Sequence, residues 1–294
     1  MRFIQFIRGL GVTPEPGQKV FWSVAADGVD PRDLTGEDRE LAREMFGDVD
    51  TIPPAARATV AVVKGGEAGA SYFLGLRLLH RAMTADISAG APGEVRVGLV
   101  VAPDIRLGRE VVSYARGGAE SSPDIRSLIE ESTVDGFTLR RPDGRRVRIE
   151  ALPATVGGRA TRGRRYFEAV LDEAEFFRDR ESGAVNAEDI FRAVAPRTKG
   201  TLWLSSTPWA GGLLKVLYDK FYGRPSTRLA ARCPTLTMRS DPYVRAAVEA
   251  ELERDPEGAA QEFFCEWLPQ GSQTFFSADE LDSIFSSEGE DDAA

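Results

Sequence analysis

The sequence is poor in metal ligands. Its 294 residues include one histidine, His80, and two cysteines, Cys233 and Cys265, which stand far apart and outside any ligand spacing. A tetrahedral zinc site needs such ligands in close clusters, so a zinc centre is excluded, and the sparse cysteine fits a reducing compartment. Long apolar runs are missing too: nothing approaches the ~20 residues that cross a bilayer. The opening MRFIQFIRGLGVTPEPG has no long apolar core and no small-residue cleavage site, which excludes a secretory signal. Positive charge is in deficit, 37 Lys and Arg against 46 Asp and Glu, and the net charge of −9 by itself argues against a general nucleic-acid binder.

What remains is a globular composition, 42% apolar and 28% charged, which excludes a disordered or fibrous chain. The length suffices for one large domain or two small ones around a well-buried core. The charge is segregated. Residues 140–165 hold Arg140, Arg141, Arg145, Arg146, Arg148, Arg159, Arg162, Arg164 and Arg165 against Asp143 and Glu150, whereas the C-terminal SSEGEDDAA is acidic. A basic zone inside an acidic protein can still hold a phosphate backbone.

Residues 1–57 read as polar and helical, with breaks at Thr13-Pro14-Glu15-Pro16-Gly17 and Ile52-Pro53-Pro54 and a surface helix over 36–46. Then the pattern changes. Runs at 58–63, 95–101, 167–171 and 201–205 predict buried strands separated by helical segments, hence a mostly parallel sheet covered on both faces. Such sheets carry their chemistry at strand carboxyl ends. Residues 137–149 alternate around Pro142-Asp143-Gly144, a hairpin signal. Its arginines could track DNA phosphates, although a solvated hairpin is the default reading.

Three strand ends carry chemistry. The first leads into Lys64-Gly65-Gly66-Glu67-Ala68-Gly69-Ala70-Ser71. A phosphate loop, G-x-x-x-x-G-K-[ST], uses glycines to turn backbone N–H groups toward phosphates, a lysine to neutralise them and a hydroxyl to hold Mg²⁺. Here Gly69 and Ser71 are in place, Ala70 takes the lysine position, and Lys64 opens the loop. Because the loop wraps the phosphates, a lysine at its front end also approaches them. The competing reading is a plain glycine-rich turn, or an ATPase that has decayed. The second strand end is Asp172-Glu173, where the first carboxylate would hold Mg²⁺ through water and the second polarise the attacking water. Solvated acids opening a helix are the alternative. The third, Ser205-Ser206-Thr207-Pro208, offers short hydroxyls that can sense a γ-phosphate, or is an ordinary strand-end turn.

Together these segments resemble the large terminase subunits of tailed bacteriophages over nearly the whole chain. Thr13-Pro14-Glu15-Pro16-Gly17-Gln18, with Asp27-Gly28 after it, looks like their N-terminal adenine-recognition region. Val62 through Ser71 looks like their variable phosphate loop, in which several members, lambda's among them, shift the lysine to the front. Val170-Leu171-Asp172-Glu173-Ala174-Glu175-Phe176-Phe177 is similar to their Walker B segment, and Ser205-Ser206-Thr207-Pro208 matches their coupling motif. Asp255-Pro256, Gln261-Glu262-Phe263-Phe264-Cys265-Glu266-Trp267 and Phe275-Phe276-Ser277 are like the segment that closes the ATPase half. Two departures stand out. Many relatives carry an arginine within the loop where this chain has Glu67, and no segment remains that could fold as their RNase H-like nuclease.

The resemblance implies an α/β P-loop NTPase of the ASCE type, its mostly parallel sheet flanked by helices. It implies an N-terminal region over 1–57 packed on the motor, an ATPase core over 58–270 and a linker with acidic tail over 271–294. ATP and Mg²⁺ are the implied cofactors, held by Gln18, Lys64, Gly65, Gly66, Gly69, Ala70, Ser71, Asp172, Ser206 and Thr207, with Ser71 and Asp172 on the metal. Glu173 and Lys64 would be catalytic. Arg162, in an Arg-Gly pair before the Walker B strand, would act as a finger in a neighbouring subunit, with Arg164 and Arg165 near enough to take that role and a solvated basic loop as the alternative. The implied function is ATP-driven translocation of double-stranded DNA into procapsids in the bacterial host cytoplasm, with no membrane. The implied partners are a portal protein, a small terminase subunit and further copies in a ring; either a separate nuclease chain completes the enzyme or the sequence is a truncated product. Two alternatives stay open: a helicase-like nucleic-acid translocase, and a catalytically weak assembly factor that kept the P-loop fold.

Overall fold

The β-branched run Thr59–Lys64 (β1) is buried along its whole length, as a strand covered on both faces must be. In the computed structural model, which describes residues 1–268 apart from 49, 51, 53–56, 92, 179–186, 210 and 225, seven further strands join it: Arg96–Ala102 (β2), Ile129–Thr133 (β3), Gly136–Arg140 (β4), Arg146–Pro153 (β5), Tyr166–Asp172 (β6), Leu202–Ser206 (β7) and Arg228–Cys233 (β8). Pro53-Pro54, Phe275-Phe276-Ser277 and the expected acidic tail lie outside the described residues. The sheet order is β3-β4-β5-β2-β6-β7-β1-β8. From β5 to β8 every pairing is parallel, and β4 alone runs against its two neighbours. The expected α/β sheet is present, and one strand, β7, separates the loop strand β1 from the carboxylate strand β6, as the ASCE arrangement requires.

Two strands were not legible in the sequence. β3 is an exposed edge that carries Glu130 and Glu131 instead of an apolar face, the composition that keeps a sheet edge from pairing further. β8 owes its place to β1, with which it pairs from Thr59↔Arg228 to Lys64↔Cys233.

Side chains leave β1 alternately to two cores. Val60 and Val62 join Phe3, Trp22, Leu74, Val111 and Trp203 on one face, while Ala61 and Val63 join Leu171, Ile190, Leu204 and Leu214 on the other. The first face is covered by helices Phe3–Gly9 (α1), Pro16–Ala25 (α2), Gly36–Phe46 (α3), Ala70–Thr84 (α4) and Ile105–Ser121 (α5). Thus the N-terminal helices share the main core, with Trp22 and Trp203 ring centroids 5.1 Å apart. Pro16 and Gly17, expected as a break, form the first turn of α2, where proline's missing N–H costs nothing. Gly17 is required there, because a Cβ would stand 1.8 Å from the Thr237 carbonyl oxygen. Among the described residues no helix is long and apolar enough to cross a membrane.

Candidate nucleotide site

Parallel pairing brings the three predicted strand ends level. Val63 of β1 pairs with Ser206 of β7, and Asp172 of β6 pairs with Ser205. The chain turns out of β1 through the glycine loop and enters α4 at Ala70, with Gly69 in the left-handed region at φ 79°. Glu173 also adopts left-handed backbone, φ 55°, which for a non-glycine residue is strained and sets its carboxylate back toward β1.

The result is a small polar network. Lys64 Nζ donates to Glu173 Oε1 at 2.5 Å. Ser206 Oγ donates to the other oxygen, Oε2, at 3.2 Å. Ser71 Oγ donates to Asp172 Oδ2 at 2.8 Å, while Asp172 Oδ1 is buried with no hydrogen-bond partner. Burial alone would pull the Lys64 ammonium down, but Asp172, Glu173 and Glu262 around it hold it above the ordinary lysine range. Asp172 stands above the usual carboxylate range; burial is the main cause, Lys64 opposes it and Glu173 adds to it. A buried carboxylate oxygen without a donor, beside a serine hydroxyl, is a hard-oxygen set of the kind Mg²⁺ takes, together with water and phosphate oxygens.

Lys64, Gly65, Gly69, Ala70 and Ser71 line one wall of a cleft of about 500 Å³, and Thr13, Glu15, Gln18, Tyr72, Tyr114 and Arg239 line the rest. Gln18 is buried and ties α2 to the loop: its Nε2 donates to Ala68 O at 3.3 Å and its Oε1 accepts from Glu15 N at 3.1 Å. Thr207 is buried directly after Ser206.

Several expectations are redirected by these contacts. Gly65 N donates to Cys233 O at 2.9 Å and Gly66 N to Glu262 O at 2.7 Å, so these two amides are already used within the protein. Their glycines answer to packing: a Cβ on Gly65 would lie 2.3 Å from Thr235 Oγ1 and 2.6 Å from Phe263 O. The donors left for an anion are the later loop amides and the first turn of α4, which no intrahelical acceptor satisfies. Asp27, read as part of an adenine site, instead caps α1, its carboxylate accepting from Phe3 N at 2.5 Å and Ile4 N at 3.2 Å. Glu67 turns outward and meets Arg239.

Arg162 is exposed and lies in the turn before β6, at the opposite end of that strand from Asp172. Seven residues of strand put about 20 Å between them, so it cannot serve the site of its own chain. The hairpin arginines are largely paired: Arg140 and Arg146 with Glu130, Arg146 also with Glu131, and Arg141 with the Ala85 carbonyl. Sequence reasoning missed Thr235 and Arg239, which reach the loop from positions far along the chain with no local signal to mark them, and it placed Glu262 only in the segment that closes the ATPase half.

The sequence matches no protein-family model and no curated protein. Solved structures do match. The large terminase of bacteriophage HK97 superposes with a TM-score of 0.57 at 15% identity, over 86% of this chain and 50% of that one. The large terminase ATPase domain of Thermus phage P74-26 gives 0.56 at 13% identity, over 74% of this chain and 91% of that one. A large terminase from a thermophilic bacteriophage, in complex with ADP, gives 0.52 at 13% identity, over 72% and 48%. The fold is that of a large terminase ATPase domain. This chain therefore spans about nine-tenths of the isolated terminase ATPase domain and about half of the longer terminases. On that fold the β1 loop, Asp172-Glu173 and Ser206 occupy adjoining strand ends, and the loop lines the cleft.

Proposed function

We propose that this chain is an ATP-hydrolysing motor of the terminase type, which drives double-stranded DNA into a procapsid. The observation that carries the reading is the Lys64–Glu173–Ser206 network beside Ser71–Asp172 at the mouth of the loop. It joins, in one place, the cation, the general base, the metal-side oxygens and the coupling hydroxyl that phosphoryl transfer to water needs.

In this proposal the first-turn amides of α4 and the Lys64 ammonium receive the phosphate chain. Lys64 then exchanges Glu173 for phosphate oxygen, and that exchange frees Glu173 Oε1 to accept a proton. Water attacks the γ-phosphorus in line, the bond to the bridging oxygen breaks, ADP leaves with that oxygen and Glu173 takes the water's proton. Ser71 and Asp172 would hold Mg²⁺, which when bound neutralises charge developing on the phosphates. Ser206, between β1 and Glu173, loses or regains its contact as Glu173 moves, which ties the chemical state to β7 and the chain beyond it. Arg162 acts on the site of a neighbour, so the working form is a ring, assembled on a portal protein with a small terminase subunit. The machine works in the host cytoplasm.

The test is phosphate release by wild type, Lys64→Ala and Glu173→Ala, each with double-stranded DNA and portal present. Hydrolysis by wild type and a drop of about 10²–10⁴-fold in Glu173→Ala supports the motor. No hydrolysis by wild type under any assembled condition sinks it.

A further inference from the structure

We propose that Arg239 is the second phosphate-binding cation of this cleft, an inference that rests on the ATPase reading above. Phosphate recognition here has a charge deficit. The Lys64 ammonium is committed to Glu173, with Asp172 and Glu262 also beside it. One lysine among three carboxylates does not offset a nucleoside triphosphate, whose own charge is strongly negative. Of the residues lining the cleft, only Lys64 and Arg239 are cationic, against Glu15, Glu67 and Glu110.

Geometry places Arg239 where the missing charge is needed. After β8 the chain makes one turn of helix, Thr235–Met238, and Arg239 N donates back to Thr235 O at 2.7 Å. Thr235 Oγ1 is itself fixed to Gly66 O at 2.5 Å, so the turn is anchored on the loop. From there the arginine stem passes the loop at Gly69, where a Cβ would stand 3.8 Å from its Cδ. Gly69 immediately precedes Ala70, the position at which a phosphate loop ordinarily carries lysine. The guanidinium Nη1 donates to Glu67 O at 3.2 Å and lies 3.6 Å from the Glu67 carboxylate, while Nη2 donates to Asp241 Oδ2 at 2.9 Å.

The contact with the Glu67 carboxylate is replaceable. The Glu67 side chain is 61% exposed, so its carboxylate can return to water when Arg239 leaves it. A long pair with an exposed acid contributes little, whereas a guanidinium fork on phosphate makes two charge-assisted bonds at once. Arg239 thus exchanges Glu67 for the phosphate chain when nucleotide enters. The same exchange explains how an acid is tolerated at position 67: it serves as the resting partner of Arg239 and turns outward.

The experiment is equilibrium binding of a fluorescent ATP analogue to the full chain, with ATP, ADP and AMP as competitors. Wild type, Lys64→Ala, Arg239→Ala, Arg239→Lys and Glu67→Ala are compared, and melting curves confirm that each is folded. Arg239→Ala is expected to weaken ATP and ADP by about 10- to 100-fold and to leave AMP unchanged. Arg239→Lys falls between, since a point charge replaces the fork, and Glu67→Ala binds ATP at least as tightly as wild type. A strap that merely holds the loop predicts the opposite for Glu67→Ala: a loss equal to that of Arg239→Ala, across all three nucleotides, and this result overturns the assignment. Binding weakened by Lys64→Ala but untouched by Arg239→Ala overturns it alone. Wild type that binds no ATP overturns both the assignment and the ATPase reading.

Discussion

Strand β6 buries two carboxylates, Glu168 near its start and Asp172 at its end, and they are treated differently. Glu168, fully buried, accepts from Arg77 Nε at 3.0 Å, Trp203 Nε1 at 2.8 Å and Thr201 N at 2.9 Å, with Arg81 a further 3.5 Å away. Asp172 accepts from the Ser71 hydroxyl and has the Ser205 hydroxyl close by, yet its second oxygen is buried with no donor in hydrogen-bonding geometry. The amino ends of the strands thus hold a carboxylate saturated with donors, and the carboxyl ends hold one that is left short. Saturation rigidifies the fold, whereas an unmet buried oxygen costs stability and is tolerated where a ligand completes it. The same contrast separates the arginines: Arg77 is locked on Glu168, while Arg239 rests on an exposed acid.

The contrast can be broken from either end, and the largest effect is expected at Glu168. Glu168→Ala leaves the buried Arg77 and the half-buried Arg81 without their counter-ion, so chemical denaturation should show a loss of about 3–5 kcal/mol. A loss under about 1 kcal/mol would mean that the cluster is no more structural than a surface pair. Asp172→Asn should act the other way. Removing an unmet buried charge should raise the stability of the nucleotide-free protein by about 0.5–2 kcal/mol while ATP hydrolysis is lost.

A smaller effect reports on the same amino-end cluster through His80. Burial chiefly, with Arg77 close by, holds His80 down at about 3. Arginine only donates, so the 3.3 Å contact from Arg77 Nη1 makes His80 Nδ1 the acceptor, and Nε2 carries the hydrogen given to Met1 O at 3.0 Å. The folded pKa lies below the unfolded value near ~6.5. His80 therefore contributes stability that is present above ~6.5 and lost as pH falls toward the folded value. Between those limits wild type should lose up to about 1.4 kcal/mol more per pH unit than His80→Gln; equal slopes would show that the ring is not held neutral. Least of all should change when the hairpin is stripped. The double variant Arg140→Ala, Arg146→Ala should lose about 1 kcal/mol or less, because the pairs with Glu130 and Glu131 are at the surface.

What the sequence could reveal follows the range of the interactions. β1, β2, β6 and β7 were legible because each is a continuous apolar run, and their carboxyl-end motifs because each sits within a few residues of its strand. Lys64, Asp172, Glu173 and Ser206 are brought together by parallel register, which the order of βα units already implies. The loop contacts of Thr235, Arg239 and Glu262 were invisible, since their partners on the loop lie some 170 to 200 residues away. Gly65 and Gly66 were legible as glycines but not for the reason that requires them, the close approach of the segment around Phe263. Asp27 was misread because a carboxylate near an expected adenine site and a carboxylate capping α1 look alike until the chain folds back.

The central question is whether a lysine at the front of the loop does the work usually done from position 70. Equilibrium titration of ATP with wild type and Lys64→Ala, at matched ionic strength and with Mg²⁺, answers it most directly. A functional Lys64 predicts that the substitution weakens ATP by about 100-fold or more in protein that a melting curve shows still folded, since a charge-assisted phosphate contact is removed and Glu173 is left beside the phosphates unpaired. Wild-type affinity in Lys64→Ala would contradict it, and would return Lys64 to the role of a buried counter-ion for Glu173.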